Sequence, residues 1–232
     1  MTISSEVQTE VEIYLDARRR LVEVIRSIPD DMLERQVPST PLWTARQLVA
    51  HLVGAGEDFI NRNFPTSISF EEWTATQVAR RADDPMQKLL VAWEEIFPRV
   101  IEAMESAGVP TRPLINDTVV HEQDLRGMIG AAGGRDAPGY EFATKVACER
   151  FSGRIRDADL PAIALETDDW TVTAGSGDPT GRVRAGSFEL FRSLWGRRSA
   201  EQMKALDWSV EPDRYVRIMP NFGPSVFAIV EA

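Results

Sequence analysis

Apolar side chains recur every three to four positions at Val7, Val11, Leu15, Leu21, Val22 and Ile25, with Asp16, Arg18, Arg19 and Arg20 between them. That period predicts an amphipathic helix over residues 4–27 with those charges in water, stopped by Pro29. A connector holding Pro38 and Pro41 covers 30–42. Thr44 then reads as the N-cap of a second helix, with Trp43, Leu48 and Leu52 apolar, running towards Phe64 and closed by Pro65. Ser69 and Glu72 have the spacing of a capping box and open a helix through about Arg81. Pro85 suits the first turn of a helix over about 86–106, with Leu89, Trp93, Phe97 and Val100 inward and Gly108 and Pro110 ending it. A fifth helix carries Asn116 to Gly127, with Val119, Val120 and Leu125 on one face, and leaves through Gly130 to Gly134. A sixth covers about 140–157.

The pattern changes near residue 158. Residues 162–167 and 170–174 read as short strands joined at Asp168-Asp169, and 182–185 as a third after a turn-rich stretch. Ser187 reads as the cap of a helix through Trp195, and Ser199 as the cap of one through Leu206. The expected class is α+β: an up-and-down helical bundle over 1–158, then a small α/β domain over 159–232.

Composition narrows the function. The 232 residues are 43% hydrophobic, enough for a sizeable core, and the net charge of −10 argues against a nucleic-acid partner. No apolar window has the length of a membrane span, and the first residues lack a basic segment followed by an apolar run. A single cysteine, Cys148, excludes an intramolecular disulfide and fits a reducing, cytoplasmic setting. It lies on an apolar-spaced helix with nothing basic clearly paired to it, the pattern of an inert core thiol.

Only two histidines are present, His51 and His121. Asp117 and His121 are four residues apart, so a helix stacks them on one face. If the His51 helix packs there, two imidazoles and one carboxylate form a three-ligand set with open positions, the pattern of a catalytic zinc site that also suits iron or nickel. Spacing alone leaves a second reading, a hydrogen-bonded half-buried histidine with Asn116 or Asp117 as a helix cap. Ligating histidines need a partner for the second ring nitrogen. Asp124 is placed to serve His121 or to lie solvated beside Arg126, Glu57 and Asp58 follow His51, and Glu122 is expected at the surface. Arg80 and Arg81 have the chemistry of a carboxylate clamp, and equally that of a wet helix end.

The stretches Trp43-Thr44-Ala45-Arg46-Gln47-Leu48-Val49-Ala50-His51-Leu52-Val53-Gly54 and Val119-Val120-His121-Glu122-Gln123-Asp124-Leu125-Arg126 resemble the mycothiol-dependent maleylpyruvate isomerase family, within the DinB-like metal-binding helical bundles. The run Phe188-Glu189-Leu190-Phe191-Arg192-Ser193-Leu194-Trp195-Gly196-Arg197-Arg198-Ser199 is similar to that family's carboxy-terminal α/β module. The resemblance implies a divalent metal on His51, Asp117 and His121, with Asp117 where the family more often has the longer Glu. It implies mycothiol as the cofactor, a small electrophile as the substrate, and isomerisation by thiol addition, rotation and elimination, or thiol transfer in other branches. It also raises Arg197 and Arg198 as residues that hold the cofactor or a carboxylate. A non-catalytic module that binds metal or a small ligand is the alternative.

Overall fold

The computed structural model describes residues 5–106 and 110–231, so the expected helix start at Ser4 and the breaker Gly108 lie outside the described residues. The chain divides into two compact units, one reaching Gly139 and the other Tyr140–Glu231.

The first unit is built from α1 (Ser5–Ser27), α2 (Ala45–Asn61), α3 (Phe70–Ala79), α4 (Met86–Glu105) and α5 (Arg112–Ile129). Ion pairs and close contacts give the helix directions. Thr111 donates to Glu10 and Arg20 meets Glu122, so α1 and α5 run the same way. Tyr14 packs near Phe97 while Arg18 reaches Glu94, so α4 runs against α1. Arg46 donates to the Ala82 carbonyl and Gly56 faces Ile96, so α2 runs with α4. The short α3 folds back along α2: Trp73 donates to the Asn63 carbonyl and Arg80 to the Gly54 carbonyl. The core lies between the long helices, on Leu21, Ile25, Leu48, Leu52, Trp93 and Leu125, all nearly excluded from water.

Local chemistry fixes the starts of the helices. The Thr44 hydroxyl accepts from the Gln47 amide while the Gln47 side chain accepts from the Thr44 amide, and Ser69 and Glu72 do the same for α3. α5 starts earlier than the apolar pattern suggests. Pro113 lies in its first turn, which places Asn116 and Asp117 inside the helix and excludes both as caps. α2 ends at Asn61, where Arg62 takes a left-handed φ of 54°, before Pro65 is reached. The connector is more ordered than its prolines suggest. It holds a 3-10 turn (Asp30–Met32) and an antiparallel hairpin of β1 (Gln36–Val37) and β2 (Thr40–Thr44). Pro41 is tolerated because a two-stranded hairpin leaves each strand an unpaired edge.

Three charges expected in water are buried. The Arg18 guanidinium lies 4.0 Å from the Phe97 ring centroid, so its stem and head cover aromatic surface. Arg20 and Arg126 both hold Glu122, at 3.2 and 3.0 Å, and Glu122 is fully buried rather than at the surface. Burial raises the Glu122 pKa, against the lowering pull of the two arginines. Leu15, expected inward, is 41% exposed.

The second unit contains α6 (Pro138–Asp157), α7 (Ser187–Leu194), α8 (Ala200–Lys204) and α9 (Asp213–Ile218) around a four-stranded sheet. The strands β3 (Ile163–Glu166), β4 (Thr171–Ala174), β5 (Gly181–Arg184) and β6 (Asp207–Trp208) stand in the order β4-β3-β5-β6. β3 pairs antiparallel with β4 and parallel with β5, and β5 pairs antiparallel with β6. The division at residue 158 expected from composition is the end of α6, whereas the compact units part near its start. α6 closes on its own sheet and on α9: Ser152 accepts from the Gly175 amide, and Arg154 donates to the Ile218 and Met219 carbonyls. Ser187 is the first residue of α7 rather than its cap, and its hydroxyl receives the Trp170 indole N–H instead. Ser199 caps α8 as expected. No helix among the described residues is long and apolar enough to cross a membrane.

Candidate metal centre

Three helix positions bring the two histidines and one acid together. His51 lies one turn and more into α2, after a firmly capped start, and Asp117 and His121 stack one turn apart on α5. The His51 Nε2 is 3.1 Å from Asp117 Oδ2 and the His121 Nε2 is 3.3 Å from Asp117 Oδ1. The three ligand atoms lie within 4.8 Å of one another. A tetrahedral zinc with ligands at about 2.0–2.1 Å separates neighbouring donors by about 3.3 Å; the two histidine–aspartate spacings match that value, and the set as a whole, within 4.8 Å, would draw together around such a cation.

The surroundings hold the rings still. Both imidazoles are nearly excluded from water, and their planes meet at 82° with centroids 5.3 Å apart. Trp43, carried by β2 just before the Thr44 cap, covers them with its ring centroid 4.6 Å from His51 and 6.1 Å from His121. Asp117 is the exposed member of the set, with a quarter of its side chain reaching solvent, so the site opens on that side.

Behind His121, Nδ1 is 2.8 Å from Oδ2 of the fully buried Asp124. A carboxylate only accepts, so this nitrogen carries a proton, and Nε2 faces Asp117. Burial works against a charged His121, but Asp117 and Asp124 outweigh it and push the ring up to about 9. Burial would raise Asp117 too, and the two imidazoles overcome it, holding the carboxyl far below the usual range. Behind His51, Nδ1 is 2.8 Å from Oε1 of Gln77, a fully buried residue of α3, and Gln77 in turn donates to Asp58.

The other candidate residues are engaged elsewhere. Arg80 donates to Asp58 and to the Gly54 carbonyl, while Arg81 holds Glu57 and Asp84. In the second unit Arg197 donates to the Trp195 carbonyl, and Arg198 pairs with Glu189 and Glu231. Gln77 and Trp43 escaped the sequence reading. Gln77 had one visible signal, a polar residue beside Val78 on the buried stripe of α3.

Residues 14–126 match the family model described as the mycothiol maleylpyruvate isomerase N-terminal domain. No curated protein sequence matches the chain at a significant level. Two solved structures share the fold: a crystal structure of the mycothiol-dependent maleylpyruvate isomerase, with a TM-score of 0.64 and 15% identity, and one of a mutant of that enzyme, at 0.65 and 13%. Each superposition covers 91% of this chain and 97% of the other. The fold likeness takes in both units, and the family match takes in the helices that carry His51, Asp117 and His121: residues 14–126 belong to the mycothiol maleylpyruvate isomerase N-terminal domain family.

Proposed function

We propose that this protein is a metal-dependent isomerase or thiol transferase that uses mycothiol against a small electrophile, with His51, Asp117 and His121 as the metal ligands. One observation carries the reading: two buried imidazoles and a carboxylate turn their donor atoms to one point that is open on one side. A divalent cation held there, zinc first and nickel or iron as alternatives, would stabilise thiolate over thiol and so supply a nucleophile at neutral pH.

The chain's own residues do the rest. Asp124 keeps a proton on Nδ1 of His121, which leaves Nε2 for the cation. Asp117 adds negative charge between the rings, and Trp43 keeps water from their flank. The sulfur comes from the small thiol, since burial pushes the Cys148 thiol up to about 12 and leaves it unreactive near neutral pH.

The test is metal analysis of the purified protein, then mycothiol consumption and product formation with maleylpyruvate and a panel of small electrophiles. One equivalent of metal, lost in His51→Ala, with mycothiol-dependent turnover, is the expected result. Tight binding of a small ligand with no turnover under any metal would replace this reading with the non-catalytic binding module.

A further inference from the structure

Two histidines face the same point, but different groups stand behind them. His121 has the Asp124 carboxylate, whereas His51 has the side-chain amide of Gln77. An amide has an accepting end and a donating end, so it specifies a tautomer only if something fixes which end faces the ring.

Asp58 fixes it. Its Oδ1 accepts from the Arg80 guanidinium at 2.8 Å and from Asn63 Nδ2 at 2.9 Å. Its Oδ2 accepts from Gln77 Nε2 at 2.8 Å. A carboxylate paired with arginine offers no proton, so the Gln77 NH2 must face Asp58 and the Gln77 oxygen must face His51. That oxygen accepts only, so Nδ1 of His51 carries a proton, and Nε2 points towards Asp117. Gly54 lets the arrangement close. A Cβ there would lie 2.6 Å from Gln77 Cβ, so only glycine lets α3 approach α2 this closely.

We infer that Gln77 is a positioning residue, oriented by the Asp58–Arg80 pair, that holds the His51 proton on Nδ1 and turns Nε2 into the site. α3 thereby sets the affinity of the centre through a residue that touches no metal. The effect on affinity rests on the proposed metal reading, whereas the placement of the proton does not.

The experiment uses the full chain and zinc as the probe, titrated against a chromophoric chelator, together with long-range 1H–15N spectra, which contain only two imidazoles. Gln77→Leu should weaken zinc about 10–100-fold, and Asp58→Asn should weaken it by freeing the amide to turn over. The pair Gln77→Glu with Asp58→Asn swaps donor and acceptor along the chain and keeps an acceptor on His51. It should restore zinc affinity to within about threefold of the parent, which a merely structural role would not do. The pair also keeps the test alive if Gln77→Leu fails to fold.

In the parent protein, with or without zinc, His51 should show a protected Nδ1–H. A His51 that carries its proton on Nε2 alone overturns the inference, as does a paired variant no better than either single one. A parent that binds no zinc overturns the metal reading, and the Nδ1–H signal in the same sample still decides the role of Gln77.

Discussion

Replacing Gly54 by alanine separates the packing argument from simple helix propensity, because the two predict opposite signs. Gly54 lies inside α2, where alanine is better than glycine by about 1 kcal/mol. The new methyl would lie 2.6 Å from Gln77 Cβ and 3.1 Å from Gln77 Cα. Carbon atoms pack at about 3.5–4.0 Å, so α3 must retreat by about 1 Å. The bond from His51 Nδ1 to Gln77, 2.8 Å in the parent, would then open beyond the limit of a hydrogen bond. Overpacking costs about 1–3 kcal/mol, and stranding a buried donor and acceptor costs about 1–3 kcal/mol more. Set against the propensity gain, the net loss should be about 3 kcal/mol. Gly56→Ala is the matched control, since its methyl would meet the end of Ile96 at 3.0 Å, which a flexible side chain can relieve, and Val100 at an ordinary 3.7 Å. Urea unfolding of the zinc-free protein, followed by circular dichroism, reads both variants. A Gly54→Ala midpoint equal to or above the parent would refute the close approach of α3 to α2, and with it the means by which Gln77 reaches His51.

Three further outcomes follow from the same geometry. With its pKa raised from about 6.5 to about 9, His121 contributes stability to the metal-free protein that is full below about pH 6.5 and lost as pH rises through 9. Zinc needs that ring unprotonated, so its apparent affinity should climb about tenfold per pH unit up to about pH 9, and a flat chelator-competition profile would count against the Asp117–His121–Asp124 coupling. Cys148, pushed up to about 12 by burial, should resist alkylation at pH 8 in the native protein, and Cys148→Ser should keep its zinc; rapid native labelling would show that the thiol is not buried. Glu231→Gln should destabilise the second unit by about 3–5 kcal/mol in thermal unfolding, because Glu231 holds the buried Arg192 and Arg198; an unchanged midpoint would mean the ion pairs add nothing.

What the sequence disclosed follows the range over which each interaction acts. The N-cap at Thr44, the capping box at Ser69 and the stacking of Asp117 with His121 are set within one helical turn, and all are found as expected. Arg18, Arg20 and Glu122 were misplaced for the opposite reason. A charge is read as exposed until its partner is known, and the partner of Glu122 across the bundle is Arg20, on another helix. Gln77 is the same case at the site, since nothing within α3 says that the residue beside Val78 meets a histidine from α2. The hairpin that carries Trp43 was hidden by prolines, which argue against strands generally but leave edge positions open.

The difference between the two outer partners bears on the chemistry the site can support. Asp117 and Asp124 bring two negative charges to the centre, while Asp58 is already balanced by Arg80. A dication would therefore leave the two acids and the metal close to neutral, with an open position where an anionic sulfur could bind at the cost of a single net charge. A carboxylate in place of Gln77, with Asp58 neutralised, would move another negative charge against His51. It would keep an acceptor on Nδ1 of the ring and so its hold on a cation, but oppose the arrival of a thiolate, because like charges repel strongly in a buried site. The Gln77→Glu, Asp58→Asn protein should therefore bind zinc as the parent does yet bind mycothiol more weakly, a split that calorimetry of the zinc-loaded protein can read. Equal thiol affinity in the two proteins would mean that the amide behind His51 serves geometry alone and leaves the charge of the centre without a role.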